Sequence, residues 1–208
     1  MNSSIRRIFL MHVPAWTVLA MLLAGCVTDE DKKAAINAVN EAFKVDYERI
    51  LAEKGTRLFK VHRSEAFTAM RVSMAGLRMK TENQDESLGH LVLAAPAPLP
   101  LDTQEWRRVS DIDLPVLKRI IEPYVGAIPT VFVHFEPQGL EVVIGATFLE
   151  VEGGTEVSLT VRLREVSPPP SGWPRRSYLS PTVLNTGLKK IWDAYDQELR
   201  AGPQRSGG

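Results

Sequence analysis

The chain has 208 residues, 44% hydrophobic and 24% charged, an ordinary globular composition that excludes both a disordered chain and a multi-span membrane protein. Its 25 basic and 25 acidic residues cancel, so it has no basic footprint to neutralise phosphates, and no nucleic-acid partner is expected. With a single cysteine there is no internal disulfide, and the fold must rest on its hydrophobic core.

The first element reads as an address. Arg6 and Arg7 are followed by apolar residues at 8–10 and 13–23 and then by the small residues Ala24 and Gly25, the pattern of a secretory signal peptide over 1–25. At its end, Leu23-Ala24-Gly25-Cys26 resembles the lipobox of bacterial lipoproteins. The resemblance implies cleavage between Gly25 and Cys26, lipid on the Cys26 thiol, and a membrane as partner through that lipid. Small side chains before the cysteine let an extended backbone enter a protease cleft. Two or three acyl chains, at roughly 0.8 kcal/mol per buried methylene, exceed the single-chain threshold for stable anchoring. The alternative is an uncleaved anchor helix over 8–25, at the short end of the roughly 17 to 25 residues that span a bilayer and interrupted by His12 and Pro14.

Arg6-Arg7-Ile8-Phe9-Leu10 also resembles the twin-arginine export signal, departing from it at Ile5, where Ser or Thr is usual, and at Met11, where Lys is common. A general secretory signal is the other reading. Val27, where Asp would retain the protein at the inner membrane, implies the periplasmic face of the outer membrane by the sorting rule of enteric bacteria. Removing 1–25 takes Arg6 and Arg7 and no acidic residue, leaving 23 basic against 25 acidic residues and a charge of −2.

After a tether at 26–30, Ile36, Val39, Phe43, Tyr47, Ile50 and Leu51 recur at steps of three and four and predict an amphipathic helix over 31–54. Asp29, Glu30 and Asp31 stand at its positive end and Gly55 at its C-terminal cap. Such a helix is about 36 Å long. It either lifts the domain off the membrane as a stalk or packs on it.

Residues 56–63 predict a strand, Ser64 an N-cap, and Phe67, Met70, Met74 and Leu77 the buried face of the helix that follows. Strands at 78–82 and 90–95 around a turn at 83–89 complete a β-α-β-β unit. Pro96, Pro98 and Pro100 predict an extended link. Thr103 caps a short helix through 110, and 114–121 forms another before Pro123.

Strands at 130–135, 140–151 and 155–166 predict a three-stranded meander, joined by Glu136-Pro137-Gln138-Gly139 and Glu152-Gly153-Gly154. In the last strand Val157, Leu159, Val161 and Leu163 alternate with Ser158, Thr160, Arg162 and Arg164, so one face is core and the other wet. Residues 167–176, with Pro168, Pro169, Pro170 and Pro174, predict an exposed loop. Ser180 then caps a helix with Pro181 at its first position and Leu184, Leu188, Ile191, Tyr195 and Leu199 as its stripe; 202–208 is a disordered tail. The expected class is α+β, antiparallel sheet with packing helices, as a single periplasmic domain over 56–200. The pattern over 56–95 is similar to the helix-on-sheet modules of envelope lipoproteins such as the C subunit of the outer-membrane barrel-assembly machine, a similarity that transfers no site.

Chemistry is sparse. His62, His90 and His134 fall singly in different predicted strands, so no metal is expected; there is no Gly-x-Ser-x-Gly elbow, and Gly153-Gly154 joins strands where a phosphate cradle would open a helix. No cofactor is implied. The candidate contact residues are Trp106, Arg107 and Arg108, and Trp173, Arg175 and Arg176, because Trp and Arg dominate interfaces and also engage lipid head groups and glycans. The blander alternative is a Trp packed at the core edge beside solvated arginines. The expected function is a non-enzymatic envelope protein that binds a protein, lipid or cell-wall component; the alternative is a periplasmic enzyme whose site is assembled only by the fold. Convergent carboxylates or histidines in a deep pocket would mark the enzyme, and an apolar groove the binder.

Overall fold

The structure, a computed structural model, describes residues 27–202. The signal segment with Arg6, Arg7, Gly25 and Cys26, and the tail from 203 onward, lie outside the described residues. The elements are α1 (Asp29–Lys54), β1 (Thr56–Phe59), α2 (Arg63–Gly76), β2 (Lys80–Asp85), β3 (His90–Pro96), α3 (Thr103–Val125), α4 (Ala127–Val131), β4 (Leu140–Val151), β5 (Gly154–Glu165) and α5 (Pro181–Ala201). None of these helices is long and apolar enough to cross a membrane.

The fold is α+β. Five strands form one antiparallel sheet in the order β1-β5-β4-β3-β2. The period-2 pattern decides its faces: Leu91, Leu93, Val142, Ile144, Val157, Leu159 and Val161 are buried against Phe67, Met70 and Met74 of α2 and Leu188, Ile191 and Tyr195 of α5. Arg162 and Arg164 stand on the wet face as expected. There Arg164 spans from β5 to both β4 and β2, donating to Glu141 at 2.6 Å and to Glu82 at 2.5 Å. Those bonds hold the Glu82 carboxyl below its ordinary 4.5.

The network's stabilisation is therefore complete above the ordinary carboxylate range and is lost as pH falls through the lower folded value. Because these side chains are part-exposed, Arg164→Met is expected to cost about 1 kcal/mol or less at neutral pH. Urea denaturation in a pH series descending below the ordinary carboxylate range should find the difference between wild type and variant shrinking as Glu82 takes up its proton.

The N-terminal helix is packed along its length. Thr28 caps it reciprocally with Asp31, the hydroxyl accepting the Asp31 amide at 3.1 Å and the carboxylate accepting the Thr28 amide at 2.9 Å. Ala35, Phe43, Tyr47 and Ile50 are buried, which rules out a free stalk. Tyr47 and Ile50 join the main core, while Ala35 packs with Leu117 and Ile121 of α3 in a second cluster.

Several expected boundaries move. His62, not Ser64, occupies the N-cap of α2. That helix leaves through Arg78 in the left-handed region at φ 64, which delays β2 to Lys80. The two short helices expected over 103–121 are one continuous α3, capped by Asp102 rather than Thr103. Pro115 and Pro123 sit on its exposed side, and Asp111 and Arg119, the residues four positions earlier whose carbonyls lose an amide donor, are exposed as well.

No strand forms at 130–135. Thr130 ends in α4, and residues 133–137 are irregular. The period-2 burial that suggested a strand is real, with Val133 and Phe135 half-buried and Phe132, His134 and Glu136 exposed, but the segment pairs with no neighbour in the sheet. The consecutive antiparallel run is instead four strands, β2 to β5. Of the three histidines only His90 lies in a strand.

Candidate functional site

Between α1, α3, the extended segment 133–136 and the chain entering α5 lies an apolar cavity of about 230 Å³. Phe43 and Val39 project from α1, and Leu117 and Ile121 from α3. Each pair is spaced i, i+4, so each stacks along one helix face. Phe135 closes the side opposite α1 and stacks on Phe43 with ring centroids 6.2 Å apart. Leu140 and Leu163 form the wall where the sheet ends.

The two Trp-Arg motifs, far apart in sequence, meet here. Trp106 is buried and lines the cavity, its indole N–H donating to the Phe135 carbonyl at 3.3 Å and holding the extended segment against α3. From the second motif Arg176 reaches the rim, where its Nε donates to Glu165 Oε1 at 2.9 Å. Trp173 is half-buried, with the Lys33 ammonium 5.8 Å from its ring centroid. Asn40 of α1 fixes this loop, donating to the Arg175 carbonyl at 2.7 Å and accepting the Ser177 amide at 3.3 Å.

Trp106 is therefore a core and cavity residue, and the blander alternative describes its motif. Arg107 and Arg108 are exposed and form no ion pair among the described residues. Arg175 is likewise exposed and engages neighbours through its backbone.

Sequence reasoning missed Asp113 and gave Ser180 a capping role that its side chain does not fill. Asp113 is 6% exposed, and its carboxylate accepts both the Thr182 amide and the Thr182 hydroxyl at 2.7 Å, capping α5 from a different helix. Ser180 stands at the expected N-cap position, but its side chain makes no capping bond. Ser180 belongs to the cavity wall, and its hydroxyl is buried without a partner, as is the Glu165 Oε2 oxygen elsewhere. Pro181 explains part of this, because it has no amide hydrogen and the first free donor of α5 belongs to Thr182.

The cavity is smaller than the ~300–1,000 Å³ of sites that enclose a whole small molecule, and suits one bulky apolar side chain or a short run of acyl chain. Of its polar lining residues, His134, Glu136 and Arg176 are exposed and mark the mouth, while Asn40 and Tyr178 are half-buried and Ser180 is buried. No family model, curated protein or solved structure matches this chain. The cavity's own chemistry must carry the functional reading. Among the described residues, no group of three or more His, Cys, Asp or Glu is placed to hold a metal ion.

Proposed function

We propose that this protein is a lipid-anchored envelope lipoprotein whose periplasmic domain binds, without catalysis, an apolar group of another envelope component. The observation that carries the reading is the cavity beneath α1, with aromatic and aliphatic walls and its ionisable groups toward the mouth. General acid–base chemistry needs positioned groups within hydrogen-bond reach of a bound reactant. Here the interior offers Phe43, Phe135, Leu117 and Ile121, side chains that neither give nor take a proton. Anchoring by Cys26 is supported by the lipobox alone.

A cavity that binds is emptied of function by filling it, whereas a packing defect is improved. Ala35→Leu and Val39→Phe both add carbon into this space from α1. Each is expected to weaken binding of N-phenyl-1-naphthylamine, a small apolar fluorophore, at least about tenfold while leaving the melting temperature unchanged or raised. Fluorescence titration with a parallel thermal melt measures both. Undiminished dye binding in two stable variants would remove the cavity from consideration.

A further inference from the structure

The end of the molecule where the chain enters α1 carries a ridge of bare apolar side chains. Ile128 is 69% exposed, Val131 62% and Phe132 77%, on and just after α4. Their place follows from helix packing. Ala35 packs against Leu117 and Ile121, with Val125 and Val133 in the same cluster, so the start of α1 lies beside the end of α3. Thr28 is about 10 Å further along the axis from Ala35, level with the turn into α4. Asn40 is bonded to residues 175 and 177 beside the last residues of β5, so roughly three turns of α1 run past the end of the sheet. The loop carrying Trp173 lies at this same end, beside Lys33.

The tether decides what covers the ridge. Thr28 is already the N-cap of α1, so only Val27 separates it from Cys26. Cys26 to Asp29 spans at most about 10 Å. With acyl chains on Cys26 held in a bilayer, this end of the domain is pressed to the head groups, too close for an intervening globular partner. We infer that Ile128, Val131 and Phe132 insert into the membrane interface beside the lipid anchor, so that the domain is held on the bilayer at two points with a fixed orientation. The inference rests on the lipoprotein reading of Cys26. Lys32 and Lys33 are paired with Asp29 and Glu30, and Lys118, the cation that touches the ridge, donates to the Val131 carbonyl at 2.9 Å, so the attraction is chiefly apolar.

The test uses the mature lipoprotein in vesicles of phosphatidylethanolamine and phosphatidylglycerol, some carrying a nitroxide quencher on the acyl chain. A thioether-linked Cys26 cannot react with a thiol dye, so an environment-sensitive fluorophore reports only from an introduced cysteine. One variant is Phe132→Cys; the other is Leu88→Cys, 77% exposed in the β2–β3 turn at the opposite end of the sheet. The expected result is a blue-shifted emission at 132, quenched by the lipid nitroxide at least about twofold more than at 88. Equal quenching at both positions in vesicle-bound protein would overturn the ridge while leaving the anchor standing. A blue shift at 132 without lipid quenching would assign the ridge to a protein contact and likewise overturn it. A reactive Cys26 thiol in protein that does not float with vesicles would overturn the lipoprotein reading, and the inference with it.

Discussion

Cys26→Ala is expected to abolish incorporation of labelled palmitate and to leave the chain with residues 1–25 still attached. In the wild type the same experiment should find an acylated N-terminus at Cys26, because the thiol is the atom that accepts the diacylglyceryl group and lipidation precedes the cut. The effect is all-or-none, since a single thiol carries the first modification and the chain has no other cysteine. The energetics make the consequence large. One myristoyl-length chain gives only marginal, reversible binding, and a second or third at roughly 0.8 kcal/mol per methylene makes attachment effectively permanent. Mass spectrometry of the N-terminal peptide discriminates the competing reading. An uncleaved helix over 8–25 would leave Met1 or its neighbour at the N-terminus of the wild type, carry no palmitate, and be indifferent to the substitution.

In the proposed reading, anchoring and binding are linked through α1. Thr28, two residues after Cys26, caps the helix, and its Val39 and Phe43 form one wall of the cavity. A ligand of the cavity would then be received on the element nearest the membrane, with the Trp173 loop bonded to that element through Asn40. Such a layout suits a group presented at, or drawn from, the membrane surface, and gives one reason for α1 to be packed rather than a free stalk.

Local pattern carried much of the fold. The alternation in β5 and the i, i+4 stripe of α5 correspond to buried Val157, Leu159 and Val161 and buried Leu184, Leu188, Ile191 and Tyr195. These are elements whose burial period equals their secondary-structure period, so composition alone exposes them. The segment 130–135 failed for an instructive reason: Val133 and Phe135 alternate with exposed neighbours as a strand's would, yet their inward direction is toward α1 and α3, not toward a sheet. Alternation reports a two-sided environment and says nothing of ladder partners.

The continuity of α3 was hidden by Pro115 and Pro123, which normally end helices. What overrides them is burial at Trp106, Val109, Asp113, Leu117 and Ile121, a helical series that runs through Pro115 unbroken. The candidate site was legible only in part. Trp106 and Arg176 were both visible as unusual residue types, but their convergence on one cavity depends on how α1 lies across both, which no local spacing records.

Asp113→Ala is expected to destabilise the domain by about 2–3 kcal/mol, combining loss of a helix cap at ~0.5–2 kcal/mol with a Thr182 hydroxyl left short of a partner. Against a typical total of ~5–15 kcal/mol this is a large fraction, and thermal unfolding followed by circular dichroism should show it as a fall of roughly 5–10 °C. The expectation follows from a local conflict. Ser180 stands where the cap should be, but its hydroxyl is buried without a partner, so the α5 terminus depends on Asp113, whose two oxygens meet the Thr182 amide and hydroxyl at 2.7 Å.

Asp113→Asn retains an acceptor for the amide, and its Nδ2 can donate to the Thr182 oxygen, so it should cost about 1 kcal/mol or less, mainly the lost charge at the helix terminus. A double-mutant cycle of Asp113→Ala with Thr182→Val should return a coupling of about 1–2 kcal/mol; a value near zero would mean that the two residues are neighbours without being partners. The same substitution reaches the site, because Leu179 and Ser180 form the cavity wall immediately before α5. If the cap sets that wall, affinity for the apolar fluorophore falls in Asp113→Ala well below the melting transition and survives in Asp113→Asn. A change in stability with unaltered affinity would instead confine Asp113 to holding α3 and α5 together.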